Sequence, residues 1–382
     1  MKKLILILSL AAVLFCGVIK TIPAAAASAT AMTSAKAAVV MEVSSGRVLY
    51  SQNSKQPLPI ASTTKILTAL VVLENCDINS VVTVPEKAVG VEGSSIYLAE
   101  GEKLTVRELL YGLMLRSGND AATALALHCC DTVEHFADLM NETAAGLGCE
   151  NYSFANPHGL HDDDHYCSAM DLAKISAAAM RNEDFKEISS TKTVKISNET
   201  KDYPRVLYNK NKLFNLMTNA TGIKTGFTKK AGRCFVGSSN QDGLELVTVL
   251  ISCGPMFEDC KRMLEHFNAL YEFRNLTEKI EIPSTLFVED GKAAAVEIKL
   301  QNSFSYPLKK DGSEDAGIEV RLQMVEKAEA PVKKGDKMGL LEILRNNQLI
   351  FSSKIVSITD VEKKGFFDFF STSAQAVEGN EN

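Results

Sequence analysis

ASTTKILTALVVLENC, residues 61–76, decides how the rest of the chain is read. Ile66, Leu67, Leu70 and Val71 recur at the spacing of one buried helix face, and Ser62 stands just at the start of the run. A plain helix N-cap accounts for such a serine. On a helix, however, residues three apart share a face one turn apart, which lets the Lys65 amine reach the Ser62 hydroxyl. At the helix start, free backbone N–H groups and the positive end of the dipole lie beside any oxygen that becomes negative. A lysine withdrawn from water loses basicity and accepts a proton near neutral pH. Ser62 and Lys65 are therefore a candidate nucleophile and its activator.

Upstream of this helix, AAVVMEV (37–43), the turn SSG and RVLYSQN (47–53) read as a β-hairpin. Downstream, Thr105 with Glu108 forms a capping box for VRELLYGLMLR (106–116), and a second helical run begins at Asp120. Between them lies a turn, Ser117-Gly118-Asn119. The pattern predicts helices over 133–146 and over 169–180, the latter with Ser168 and Asp171 as its capping box. CFVGSS and LELVTVLIS flank NQDG, a strong hairpin signal over 234–252, and FEDCKRMLEHFNALYEF predicts a last helix ending near 273. Strands open and close this first unit and helices fill its middle. That order predicts an α+β domain whose first and last strands lie side by side in one antiparallel sheet. From 277 to 361 the chain turns to short alternating runs (EKIEI, TLFVED, AVEIKL, IEVRLQMV, LLEIL, LIFSSKIVSI) separated by DG, KKGD and NNQ, which predicts a small all-β domain.

The ends read differently. MKK, an apolar run from Leu4 to Ile19 and the small-residue stretch PAAAASA have the order of a secretory signal peptide over residues 1–29. An uncleaved anchor is the alternative, although Lys20 ends the run at about 16 residues, short of the ~20 a span needs. Phe15, before Cys16, is too large for a lipoprotein signal. Losing residues 1–29 removes Lys2, Lys3 and Lys20 and no acid, so the formal charge moves from −6 to −9. Such an acidic chain, with only short lysine pairs, makes a poor nucleic-acid binder. Eight of the nine cysteines remain, mostly inside apolar runs, and the expectation is buried free thiols. In the tail from 362, EKKGFFDFFSTSAQAVEGNEN, four phenylalanines follow Lys363 and Lys364. They fit either a membrane-surface anchor or packing onto the β domain.

Ser62-Thr63-Thr64-Lys65, Ser117-Gly118-Asn119 and Lys224-Thr225-Gly226 follow one another across the first unit. The second motif lies on a turn, where its side chains are free to point into a cleft, and the third reads as a turn before a strand. Jointly they resemble the active-site signature of penicillin-binding proteins and serine β-lactamases. The flanking text narrows this. PIASTTKILTAL, LLYGLMLRSGNDAATALA, FANPHGLHDDDHYCSAMDLA, NLMTNATGIKTGFTKKAGRCFVGSS and VKKGDKMGLLEI resemble the low-molecular-mass penicillin-binding proteins that are D-alanyl-D-alanine carboxypeptidases.

That resemblance implies a β-lactamase/transpeptidase-like domain over 30–275 and a C-terminal β-rich domain over 276–361. It also implies a serine hydrolase that needs no cofactor, acts on peptidoglycan stem peptides outside the cytoplasm and is acylated by β-lactams. By position, Ser62 attacks the D-Ala-D-Ala carbonyl, Lys65 takes its proton and Ser117 passes a proton to the leaving amine. Asn119 holds the substrate amide, and Lys224 with Thr225 positions the terminal carboxylate beside Gly226. The backbone N–H groups of Ser62 and Phe227 form the oxyanion hole. Phe227 stands where some members carry histidine, and CGPMFED (253–259) lacks the arginine that reads the carboxylate in some relatives. The resemblance thus leaves that carboxylate to Lys224 and Thr225. A β-lactamase, which usually carries a deacylating glutamate between the second and third motifs, and a non-catalytic wall-binding relative are the alternatives.

HGLHDDDHYC (158–167) is the densest set of potential metal ligands in the chain, and His161 and His165 have the four-residue spacing of a helical metal site. Pro157, Gly159 and the three aspartates are loop residues, so the expectation is a structural loop and no metal.

Overall fold

The computed structural model describes residues 32–365; the predicted signal peptide and the tail from Phe366 onward lie outside them. Five strands form the main sheet: β1 (Ala37–Glu42), β2 (Val48–Gln52), β3 (Ala220–Thr228), β4 (Gly232–Gln241) and β5 (Leu244–Ile251). Their order is β2-β1-β5-β4-β3, antiparallel throughout. The first and last strands pair as the sequence predicts, with Val39 opposite Val249. The turn from β4 to β5 puts Asp242 and Gly243 at positive φ (53° and 85°), where Gly avoids the Cβ clash that most residues meet.

Both faces of the sheet are covered, so β5 is buried at every position and reads as a continuous apolar run. Ala37, Val39, Met41, Val247 and Val249 join one core cluster with the helices of the middle segment. These are α1 (Lys65–Asn75), α2 (Val106–Tyr111), α3 (Asn119–Cys129), α4 (Val133–Gly146), α5 (Ala169–Met180) and α6 (Glu183–Ser190). The alternate residues meet α7 (Met256–Leu270), where Phe257 packs edge-on against Phe235 at 4.9 Å. The result is an α+β sandwich of helices, antiparallel sheet and helix.

The helices begin where their caps predict. Thr105 and Glu108 exchange both bonds of a capping box, and Ser168 caps α5 by accepting from the Asp171 N–H. Three local expectations need correction. GIKTGFT is itself part of the edge strand β3, because its alternating residues face the nucleophile turn and the cleft. Tyr271–Asn275 leaves α7 as a strand and pairs with Ser305–Lys309, and EKIEI (278–282) forms no strand. Cys76 and Cys129 are bonded rather than free, because α1 and α3 pack together and their ends meet. Cys167, Cys234, Cys253 and Cys260 are the buried thiols expected.

Beyond α7 the chain is all-β, as its alternating runs predict. A six-stranded sheet includes Thr285–Glu289, Ala295–Leu300, Ile318–Met324, Lys337–Arg345 and Gln348–Ser357 around a core with Val296, Met338 and Ile355. Arg47, from the first hairpin, pairs with Glu314, which precedes Ile318–Met324 in the chain.

Candidate active site

The chain enters α1 through a short 3-10 turn, Ala61–Thr64, that carries Ser62. Ser62 makes no cap hydrogen bond, so its hydroxyl is not spent on the helix end. Ala61 sits at φ 49°, in the left-handed region that costs a side-chain-bearing residue of order 1 kcal/mol or more. Two neighbours hold it there. β3 runs against the turn at Gly226, where any Cβ would come within 3.0 Å of the Ser62 nitrogen and the Ile60 oxygen. On the other side the 158–160 loop presses in at Gly159, whose φ is +80° and whose added Cβ would lie 2.1 Å from the Ala61 oxygen.

Lys65, the first residue of α1, is wholly buried. Its Nζ lies 3.2 Å from Ser62 Oγ and donates to Asn119 Oδ1 (2.7 Å) and the His158 carbonyl (2.6 Å). Among the described residues no carboxylate hydrogen-bonds Ser62 or Lys65. Burial, then the nearby charge of Lys224, hold the Lys65 amine well below its ordinary pKa, with Asp120 pulling weakly the other way. A neutral amine 3.2 Å from a hydroxyl can take its proton.

The remaining predicted residues converge on the same place. Ser117 ends a wide helical turn after α2 at φ 64°, nearly buried, and Asn119 opens α3, its Nδ2 donating to the Glu92 carbonyl. Ser62, Ser117, Thr225, Gly226 and Phe227 line one cavity of about 470 Å³. Phe227 is 66% exposed at its rim, whereas Lys224 is 2% exposed, its Nζ turned to the Thr225 carbonyl at 3.0 Å. Burial, with Lys210 nearby, brings the Lys224 amine down to about 7.

The structure also assigns contacts that the motifs do not show. HGLHDDDHYC packs behind the nucleophile turn. The His158 carbonyl holds Lys65, and the Pro157 carbonyl accepts from Thr68 Oγ1 at 2.6 Å. His165 Nδ1 accepts from the Ala155 N–H, so its Nε2–H donates to Thr64 Oγ1 at 2.7 Å, and that hydroxyl donates to the Ala61 carbonyl. Burial lowers the His165 imidazole to about 4 and that of His158 to about 3, so both are neutral near pH 7. Among the described residues no group of three or more His, Cys, Asp or Glu is arranged to hold a metal ion.

The profile of the D-alanyl-D-alanine carboxypeptidase family matches residues 24–253, more than half of the chain. The chain belongs to the D-alanyl-D-alanine carboxypeptidase family. The penicillin-binding protein 5 C-terminal domain matches residues 271–363, over the β-rich segment. The D-alanyl-D-alanine carboxypeptidase DacF of Bacillus subtilis is 31% identical over 343 residues, covering 88% of each chain. A Streptomyces carboxypeptidase is 35% identical over 248 residues, 59% of this chain and 85% of its own. Among solved structures, penicillin binding protein 5 from Haemophilus influenzae superposes with a TM-score of 0.67 at 27% identity, over 86% of this chain and 98% of its own. Family membership makes this carboxypeptidase a serine-type peptidase.

Proposed function

We propose that the protein removes the terminal D-alanine from peptidoglycan stem peptides ending in D-Ala-D-Ala, through an acyl-enzyme on Ser62. The observation that carries this is the fully buried Lys65 amine, 3.2 Å from Ser62 Oγ and shifted toward its neutral form. Neutral Lys65 takes the hydroxyl proton as Oγ attacks the penultimate carbonyl carbon. The oxyanion is met by the Ser62 and Phe227 N–H groups, each such donor being worth ~3 kcal/mol in acyl-transfer enzymes. The peptide C–N bond then breaks, and Ser117 relays the proton from Lys65 to the departing amine. Asn119 orients the substrate amide beside Lys65, with Thr225 and Gly226 forming the opposite wall and Lys224 supplying positive charge behind it. Water hydrolyses the ester, and D-alanine and the shortened peptide leave. A penicillin enters the same route and stalls at the acyl-enzyme.

The division into a catalytic domain over 30–275 and a β domain over 276–361 is part of this reading. So is export by the 1–29 segment to the cell wall or the outer face of the cytoplasmic membrane. The Phe-rich tail is proposed to hold that surface. Among the described residues no helix is long and apolar enough to cross a membrane. The test is release of D-alanine from a D-Ala-D-Ala pentapeptide by the wild-type protein and by Ser62→Ala. Release by wild type only is expected. Equal release by both contradicts the serine mechanism, and rapid multiple turnover of a penicillin instead of peptide cleavage points to a β-lactamase.

A further inference from the structure

The terminal carboxylate of a D-Ala-D-Ala peptide needs a cation it can touch, and the two lysines of the motifs are poorly placed to supply one. Lys65 is committed to three partners, and Lys224 is 2% exposed and turned to the Thr225 carbonyl. Neither lines the cleft. Two other cations do. Lys210 stands on the Ser117 side, its Nζ 3.2 Å from Ser94 Oγ. Arg233 stands on the opposite wall, at the start of β4 and directly across the ladder from Phe227, so it shares the sheet face that Thr225 and Phe227 present to the cleft. Met256 and Phe257, beside it on the wall, are apolar.

Arg233 is exposed, and no carboxylate lies within ion-pair distance of it among the described residues. Its one hydrogen bond there is a long Nη1 contact, 3.3 Å, to the Gly254 carbonyl. Among the described residues Nε and Nη2 of Arg233 have no hydrogen-bond partner, and the residue lines the cleft. A guanidinium keeps its charge at any working pH and offers paired donors that match a carboxylate, whereas burial has cost Lys224 and Lys210 part of their affinity for a proton. We infer that Arg233 is the substrate-reading residue for the terminal carboxylate, and that it, rather than Lys224, makes the enzyme prefer peptides with a free C-terminus. The inference rests on the carboxypeptidase reading of the site and names the residue that sets its substrate class.

The experiment compares acyl-D-Ala-D-Ala with the same peptide as its C-terminal carboxamide, on wild type, Arg233→Leu, Arg233→Lys and Lys210→Met. Wild type is expected to favour the free acid. Arg233→Leu should lose about 10- to 100-fold in kcat/KM on the acid, mainly through KM, and little on the amide, so that the preference collapses. Arg233→Lys should restore part of it. A role confined to holding the Gly254 turn would lower both substrates together and depress the melting temperature, which overturns the inference. So does an Arg233→Leu enzyme that keeps its preference, or a preference abolished by Lys210→Met instead. Wild type that cleaves neither peptide contradicts the carboxypeptidase reading itself. In that case the rate of Ser62 acylation by a penicillin against its methyl ester, in wild type and Arg233→Leu, still reads the carboxylate contact.

Discussion

Residues 61–65 and 158–167 lie against each other, and their sequences mislead in opposite directions. ASTTK is chemically plain, yet it carries the proposed nucleophile and the proposed base. HGLHDDDHYC holds three histidines and three aspartates, yet what it lends to the site is a carbonyl oxygen, a glycine and one neutral imidazole. The difference lies in burial and partners. Lys65 is held toward its neutral form because it is buried without a hydrogen-bonded carboxylate, while Asp163 and Asp164 face water and make no contact with the cleft. A side chain's neighbours, more than its identity, set its chemistry here.

The sharpest way to break this comparison is to remove the lysine. Lys65→Met should lower penicillin acylation by about 10²- to 10⁴-fold, the scale of a lost general base, while the melting temperature stays within a few degrees. In the wild type the acylation rate should fall as pH is lowered, because the proton returns to Lys65 and the amine can no longer accept one from Ser62. A Lys65→Met enzyme acylated at the wild-type rate would remove the base from the account.

Next comes the glycine that the histidine-rich loop contributes. Gly159→Ala places a Cβ 2.1 Å from the Ala61 oxygen at a φ of +80°. It should cost roughly 2 kcal/mol or more of stability and slow acylation by displacing the nucleophile turn, read by thermal melting and stopped-flow kinetics. An unchanged enzyme would mean that the two segments do not press together as described.

The third test concerns His165. Its pKa is lowered to about 4 in the folded protein against 6.5 for a free imidazole, so between those values the unfolded chain binds more protons. Stability should therefore fall as pH drops from about 6.5 toward 4, and His165→Gln should flatten part of that slope in melting curves taken across the range. The smallest effect belongs to the acidic face of the same loop. Replacing Asp162, Asp163 and Asp164 with asparagine, or adding EDTA, should leave D-alanine release within about twofold. A chelator-sensitive enzyme would restore the metal reading of 158–167.

Much of this arrangement is legible in the residues. The capping box at Thr105 and the serine cap at Ser168, whose Asp171 turns its carboxylate to the Glu150 and Asn151 N–H groups instead of closing a box, mark helix starts because their chemistry is local, and the alternation of AAVVMEV and LELVTVLIS marks the two strands that meet at the sheet centre. GIKTGFT is harder to read. Its glycines suggest a turn, whereas Gly226 is required by an approach of β3 to the nucleophile turn, a contact 164 positions away in the chain that no window of sequence contains. Arg233 is missed for the same reason: its place on the cleft wall depends on the register between β3 and β4. The Cys76–Cys129 bond likewise follows from the packing of two helices rather than from cysteine spacing.

The account stands or falls on which oxygen is acylated. Intact-protein mass spectrometry after brief exposure to a penicillin, followed by peptide mapping, should show one adduct, carried by the peptide that contains Ser62 and absent from Ser62→Ala. An adduct on any other residue, or one that persists in Ser62→Ala, would contradict it.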